Sequence, residues 1–274
     1  MDPTVVSYYK QYDEHGRLSQ PWGQLEFTRT MELLRRHLPP PPARVVDIGG
    51  ATGPYSETLG KLGYEMHLLD LMPHYVEAAA RRPGVASATQ GDARALPWSD
   101  AYADAALLMG PMYHLTDKKD RAKALGEVRR VLRPGGVVAA AAINRFASLM
   151  DGLVRGLVTN PQFRTLLIED LATGQHRNPS DNIEYFTSAY FHLPAELEDE
   201  LTAAGFDEAC VFAVEGPGWL AHASVEQEFL LELLRKVERE PTLIGVSPHL
   251  LAFAVTPTGG GPTHEPLFAA PRSR

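Results

Sequence analysis

Apolar positions in this chain first repeat with a helical period and then alternate between strand and helix. Phe27, Met31, Leu34 and Leu38 recur at spacings of four, three and four, one face of a helix. Pro39 to Pro42 ends it, because proline lacks the amide donor and restricts the residue before it. From residue 43 the pattern predicts strands over 44–48, 65–71, 86–90, 104–109 and 137–143. Helices are predicted between them over 55–62, with Gly63 as its stop, over 73–82, and from Thr116 as N-cap to Leu132. Nearly every residue from Val137 to Ile143 is apolar or small, the mark of a strand buried on both faces in a parallel sheet.

Residues 147–190 break this rhythm. An amphipathic helix over 148–171 and a polar loop over 173–181 predict a cap inserted after the fifth strand. Alternation then resumes with a helix over 194–204 ended by Gly205, a strand over 208–214, a helix over 225–239 and a strand over 249–255. The organisation expected is an N-terminal helical lid (1–42), the first part of an α/β core (43–146), a helical cap (147–190), the rest of the core (191–257) and a Gly/Pro-rich flexible tail (258–274). Such alternation implies a doubly wound α/β sandwich, whose ligands bind outside the carboxyl ends of the strands.

Three acids fall at those ends: Asp47, Asp70 and Asp92. The first opens a small-residue turn, Asp47-Ile48-Gly49-Gly50-Ala51-Thr52-Gly53. Together they suggest a pocket for a polar, hydroxyl-bearing nucleoside cofactor. The dinucleotide pattern G-x-G-x-x-G is absent, and no Gly-Lys-Ser/Thr follows to make a P-loop. An acid directly before the turn is a poor neighbour for a pyrophosphate but suits a cofactor carrying a cationic amino group.

The turn resembles the first motif of the class I S-adenosylmethionine-dependent methyltransferases, (D/E)-x-G-x-G-x-G, at Asp47, Gly49 and Gly53, with Ala51 in place of the middle glycine. Asp70 and the following Leu71 resemble the family's ribose-binding strand end, Gly91-Asp92-Ala93 its adenine-contacting motif, and Leu132-Arg133-Pro134-Gly135-Gly136 the turn before its fifth strand. The resemblance implies a seven-stranded, mostly parallel Rossmann-like sheet with an antiparallel seventh strand, S-adenosylmethionine as cofactor, and in-line transfer of its methyl group. It also implies cofactor contacts from Gly50 in the turn and from Met109 at the end of the fourth strand, and a reaction that needs a base only if the acceptor must lose a proton.

In that family the loop after the fourth strand faces the reactive methyl. This makes Tyr113 and His114 the expected catalytic candidates, His114 as a base and Tyr113 as a wall or hydrogen-bond donor; alternatively His114 only caps the next helix. The run Tyr8-Tyr9-Lys10-Gln11-Tyr12 resembles a lid segment, so Tyr9 or Tyr12 would cover the cofactor and Arg17 would meet its carboxylate. In the cap, Glu184-Tyr185-Phe186 and Tyr190-Phe191-His192 set aromatics and an acid beside the expected pocket.

Composition narrows the partners. A net charge of −8, with basic clusters interleaved with acids on a helix around 117–133, disfavours a nucleic-acid substrate. The single cysteine, Cys210, excludes a disulfide within the chain and is expected as a buried strand residue. None of the ten histidines forms an H-x-x-x-H pair or a compact cluster with acids, so no metal site is expected. No membrane span and no signal peptide are visible, and a cytoplasmic location is expected. The reading is therefore a methyltransferase acting on a small molecule or short peptide, at oxygen or nitrogen. Its rivals are an RNA or protein methyltransferase, and a non-methylating S-adenosylmethionine-binding protein of the same fold.

Overall fold

The computed structural model describes residues 3–11, 14–18, 20–178, 180, 182–221, 225–258 and 268. The chain opens with helices α1 (Pro3–Gln11), α2 (Glu14–Arg17) and α3 (Pro21–His37). The first half of the core follows as β1 (Arg44–Ile48), α4 (Pro54–Lys61), β2 (Glu65–Asp70), α5 (Pro73–Ala79), β3 (Val85–Gln90) and β4 (Ala103–Leu108). A single turn, α6 (Pro111–His114), then leads into α7 (Lys118–Val131) and the long strand β5 (Leu132–Asn144).

The cap holds α8 (Ala147–Val154), α9 (Pro161–Thr173) and the short strands β6 (Gln175–His176) and β7 (Ala189–His192). The core closes with α10 (Pro194–Ala203), β8 (Asp207–Ala213), α11 (Gln227–Val237) and β9 (His249–Val255). Seven of these strands lie side by side in the order β3-β2-β1-β4-β5-β9-β8. Counting core strands alone this is 3-2-1-4-5-7-6, and β9 is antiparallel to both neighbours. The expected doubly wound sheet, with its antiparallel last strand, is present.

Alternate residues of each central strand feed opposite faces. Val46, Ile48, Leu108, Val138 and Leu250 pack with Leu125 and Val128 of α7 and Leu197 and Leu201 of α10. Val45, Leu107, Val137, Leu251 and Phe253 pack with Leu33 and Leu34 of α3 and Leu59 of α4. Such two-sided burial is what the continuous apolar runs predicted. Cys210 lies buried in the second cluster, where burial pushes its thiol up to about 12.

The structure corrects several local expectations. The helix expected over 148–171 is two helices, because Gly156 takes a left-handed φ of 72° and Asn160 and Pro161 start a new helix, the Asn160 side chain accepting from the Gln162 amide. The N-cap of α7 is Asp117, not Thr116; its carboxylate accepts from the Lys119 amide. β5 starts at Leu132, before the glycine turn, and its pairing with β4 slips across Arg133–Gly136. β7 carries the cap back into the sheet by pairing with Ile143 and Asn144 of β5. Most of the tail expected to be flexible, like Tyr12, lies outside the described residues; Phe268 is described and is buried against His37 and Phe253.

Candidate functional site

The carboxyl ends of β2, β1, β4 and β5 and the amino end of the antiparallel β9 open onto one cavity of about 500 Å3, roofed by the N-terminal helices and the cap. Five adjacent strands spaced about 4.8 Å apart make this edge about 19 Å long. Its two halves differ in chemistry.

At the β1–β2 end, Asp70 is buried, and its carboxylate accepts the Ala51 amide at 2.9 Å and the Met72 amide at 2.8 Å. One oxygen is thus tied to the glycine turn and the other to the start of α5, and each keeps a lone pair for a ligand hydroxyl. Burial pushes this carboxyl above the usual aspartate range. Gly49, Gly50 and Ala51 line the cavity above it. Gly49 has φ +75°, and a Cβ there would lie 2.8 Å from the Pro111 ring, so the turn admits close approach only without a side chain. Ala51 takes φ 47°, left-handed despite its methyl group. Leu71, Gly91, Asp92, Ala93 and Met109 also line this half. Asp92 is clamped by Arg94, which donates to both carboxylate oxygens at 2.6–3.0 Å and holds the acid below its usual range.

Two expected cofactor residues lie elsewhere. Asp47 is fully buried beneath the turn and is not part of the cavity wall. Its Oδ2 accepts the Ser56 hydroxyl at 2.6 Å, and a Cβ on Gly50 would strike that oxygen. Burial pushes the Asp47 carboxyl up to about 7, with Ser56 opposing and Asp70 adding to the rise. It shapes the turn from below, and its Oδ1 has no hydrogen bond among the described residues. Gly53, φ +79°, is the N-cap of α4 and likewise does not line the cavity.

Beyond Met109 the wall becomes aromatic, with Tyr8, Tyr9, Tyr113, Tyr185, Phe186, Phe191 and Trp219 around it. Tyr113 donates to the Met109 carbonyl at 2.8 Å, and Tyr9 Oη lies 2.7 Å from His114 Nε2. Withdrawal from solvent pushes His114 down to about 4, so it is a neutral but weak base. Phe186 takes φ 65°, a strained backbone for an aromatic residue, at this wall. The cap's Tyr185, Phe186 and Phe191 line the cavity as expected, whereas Glu184 is exposed and Tyr190 lies over Arg121, whose guanidinium carbon is 3.9 Å from the ring centroid.

Sequence reasoning missed a polar cluster at the far end. Glu26 of α3, Glu215 just after β8 and His249 at the start of β9 bring donor atoms within 4.8 Å of one another. Positive charge already balances them: Arg17 lines the cavity but gives its guanidinium to Glu26 in a two-point ion pair, and His249 Nδ1 lies 2.5 Å from Glu215 Oε1. Burial lowers the affinity of His249 for its proton, but Glu26 and Glu215 outweigh it and push the ring up to about 9, against a smaller opposing effect of Arg17. None of the described helices is long and apolar enough to cross a membrane.

A doubly wound sheet with a carboxylate holding the second strand end to a glycine turn defines a nucleoside-binding α/β protein. Residues 46–140 match the family model described as a methyltransferase domain, and this region is similar to the class I S-adenosylmethionine-dependent methyltransferases, a family that uses that cofactor. Over 140 residues it is 31% identical to a demethylmenaquinone methyltransferase of Renibacterium salmoninarum, a match covering 51% of this chain and 56% of that one. Over 170 residues it is 29% identical to a chloroplastic 2-phytyl-1,4-beta-naphthoquinone methyltransferase of Arabidopsis thaliana, covering 59% and 61%. The chain thus spans a little over half the length of these curated relatives. A solved methyltransferase structure from Thermotoga maritima superposes with a TM-score of 0.57 at 20% identity, covering 92% of this chain and 99% of that one, which shows the shared fold.

The residues present fit S-adenosylmethionine. Asp70 offers lone pairs for two ribose hydroxyls, a Cβ on Gly49 would strike Pro111 and one on Gly50 would strike Asp47 and Leu68, so the turn stays bare, and Gly91 to Ala93 form an adjoining wall.

Proposed function

We propose that the protein transfers a methyl group from S-adenosylmethionine to a small, apolar, ring-bearing molecule, at oxygen or nitrogen. One observation carries this reading: the Asp70 half and the aromatic half are parts of a single cavity of about 500 Å3, within the usual size range of small-molecule sites. The bound cofactor supplies an electrophilic sulfonium methyl. The protein's part is to hold the ribose at Asp70, keep water out with Tyr9 and the cap, and align the acceptor among Tyr113, Phe186 and Trp219. The names of the two curated relatives point to naphthoquinone-type acceptors, and an aromatic wall suits flat, apolar rings.

Asp70→Ala is expected to weaken S-adenosylhomocysteine binding at least tenfold by calorimetry, because buried ribose hydroxyls lose a charged acceptor. Unchanged affinity would remove the ribose assignment. Formation of S-adenosylhomocysteine with a library of phenols, quinols and aromatic amines is expected for the wild-type protein. No product with any acceptor would overturn methyl transfer.

A further inference from the structure

We propose that His249 and Glu215 form a proton-accepting pair for a hydroxyl-bearing methyl acceptor, with His249 Nε2 taking the proton, an inference that rests on the methyl-transfer reading above. β8 and β9 are antiparallel, so the residues after one and at the start of the other meet at the carboxyl edge. There Glu215 is buried and held at both oxygens. Oε1 faces His249 Nδ1 at 2.5 Å, while Oε2 accepts the Ser247 hydroxyl at 3.1 Å and the His249 amide at 3.2 Å.

A carboxylate against Nδ1 requires the ring to donate from that nitrogen, which in the neutral ring leaves Nε2 as an acceptor. Nε2 has no hydrogen bond among the described residues. The ring lines the cavity with 30% of its side chain exposed. Glu26 Oε2, 3.9 Å from Nδ1, adds a second negative charge, and Arg17 beside it a positive one. His249 pairs in register with Ile143 of β5, two strands beyond the β4 end where Met109 and Tyr113 stand. That is the acceptor half of the edge, away from Asp70.

The pair suits a phenol. The phenolic pKa is about 10, and His249 at about 9 is closely matched to it. His114, at about 4 and already occupied by Tyr9, would take the same proton about a hundred-thousandfold less favourably than His249. In the step, the acceptor oxygen's lone pair forms the O–CH3 bond as the C–S bond breaks with its electron pair moving to sulfur. The hydroxyl proton passes to Nε2, and the resulting imidazolium rests against Glu215 until it releases a proton to water. Because the neutral ring is the acceptor, its active fraction grows tenfold per pH unit up to about 9.

The test uses the full chain labelled with 15N-histidine, 4-nitrophenol as probe, and the variants H249Q and E215Q, with S-adenosylhomocysteine affinity within threefold of wild type as the folding control. Expected are an Nε2 resonance that titrates near pH 9 and moves with 4-nitrophenol, titration below pH 7.5 in E215Q, and at least tenfold weaker 4-nitrophenol binding in H249Q. In turnover of a phenol series, the wild-type rate should rise with unit slope to about pH 9. H249Q should lose at least a hundredfold, least for the most acidic phenols, and its residual rate should bend at the phenol's own pKa instead of near 9. An Nε2 signal indifferent to 4-nitrophenol together with undiminished probe binding in H249Q overturns the proposal, as does an unchanged pH profile in H249Q. So does stoichiometric Zn2+ or Mn2+ binding that is lost in E215Q, which would assign the cluster to a cation. If the wild-type protein methylates no phenol, quinol or aromatic amine, the methyl-transfer reading fails on its own, and the resonance and probe-binding arms decide whether the pair accepts a hydroxyl proton.

Discussion

Tyr9 and His114, 105 residues apart in the chain, meet edge to face with the phenolic oxygen 2.7 Å from Nε2. The contact ties α1 to α6, the turn that follows β4, and so closes the roof over the middle of the cavity. Tyr9→Phe keeps the ring and removes the hydrogen bond. The expected cost is about 1 kcal/mol of local docking energy, read as roughly fivefold faster amide exchange across Pro3–Gln11 with little change in global unfolding. Unchanged exchange in α1 would mean that aromatic packing alone holds the lid.

The sheet was legible in the sequence because its strands are apolar on both faces and its turns use local chemistry. β1 and β9 run over the residues expected, and Asp70 sits where a strand-ending acid should. Depth was not legible. Asp47 looks like a ligand-facing acid, yet its neighbours bury it and Ser56 takes its one bonded oxygen. The Glu26–Glu215–His249 cluster was invisible because a helix, a loop and a strand far apart in sequence supply it. β7 was missed because four residues of mixed character carry no period.

Ala51 offers a direct test of the turn. Its φ of 47° places a methyl-bearing residue where the family motif has glycine. Left-handed backbone costs such a residue about 1–2 kcal/mol, whereas glycine costs about 0.5–1 kcal/mol in unfolded-chain entropy. Ala51→Gly is therefore expected to be neutral or stabilising by up to about 1.5 kcal/mol in urea unfolding. Destabilisation by more than about 1 kcal/mol would show that the methyl group makes packing contacts that outweigh its strain.

Arg121 of α7 and Glu200 of α10 form a buried pair, with Nη2 donating to Oε1 at 2.7 Å and Nε to Oε2 at 2.9 Å. Burial raises the Glu200 pKa, but the hydrogen bonds and charge of Arg121, with His192 Nε2 3.6 Å away, outweigh it and hold the carboxyl at about 2. Arg121→Met strands that carboxylate and should cost about 3–5 kcal/mol. Adding Glu200→Gln should restore much of the loss, since no uncompensated charge then remains. The sign for pH follows from the lowered value: the pair's contribution is present above the ordinary glutamate range and is lost as pH falls toward 2. Equal stability of the single and double variants would rule out charge burial as the cause.

His249 reverses that sign. Burial disfavours its charge, but Glu26 and Glu215 outweigh burial and raise the ring to about 9, so the folded protein holds this proton more tightly than the unfolded chain does. The resulting stabilisation is complete below about pH 6.5, the ordinary histidine value, and is lost as pH rises through about 9. Its size is at most about 3 kcal/mol, since each unit of difference is about 1.4 kcal/mol and the ring is partly open to the cavity. Urea unfolding of the wild-type protein and His249→Gln at pH 6, 7.5, 9 and 10 should show the wild type ahead at pH 6 and the difference shrinking through pH 9. A difference independent of pH would mean that the ring keeps the ordinary histidine value in the folded protein. The carboxylates would then not govern its protonation, and the activity profile should bend near the ordinary histidine value, well below pH 9.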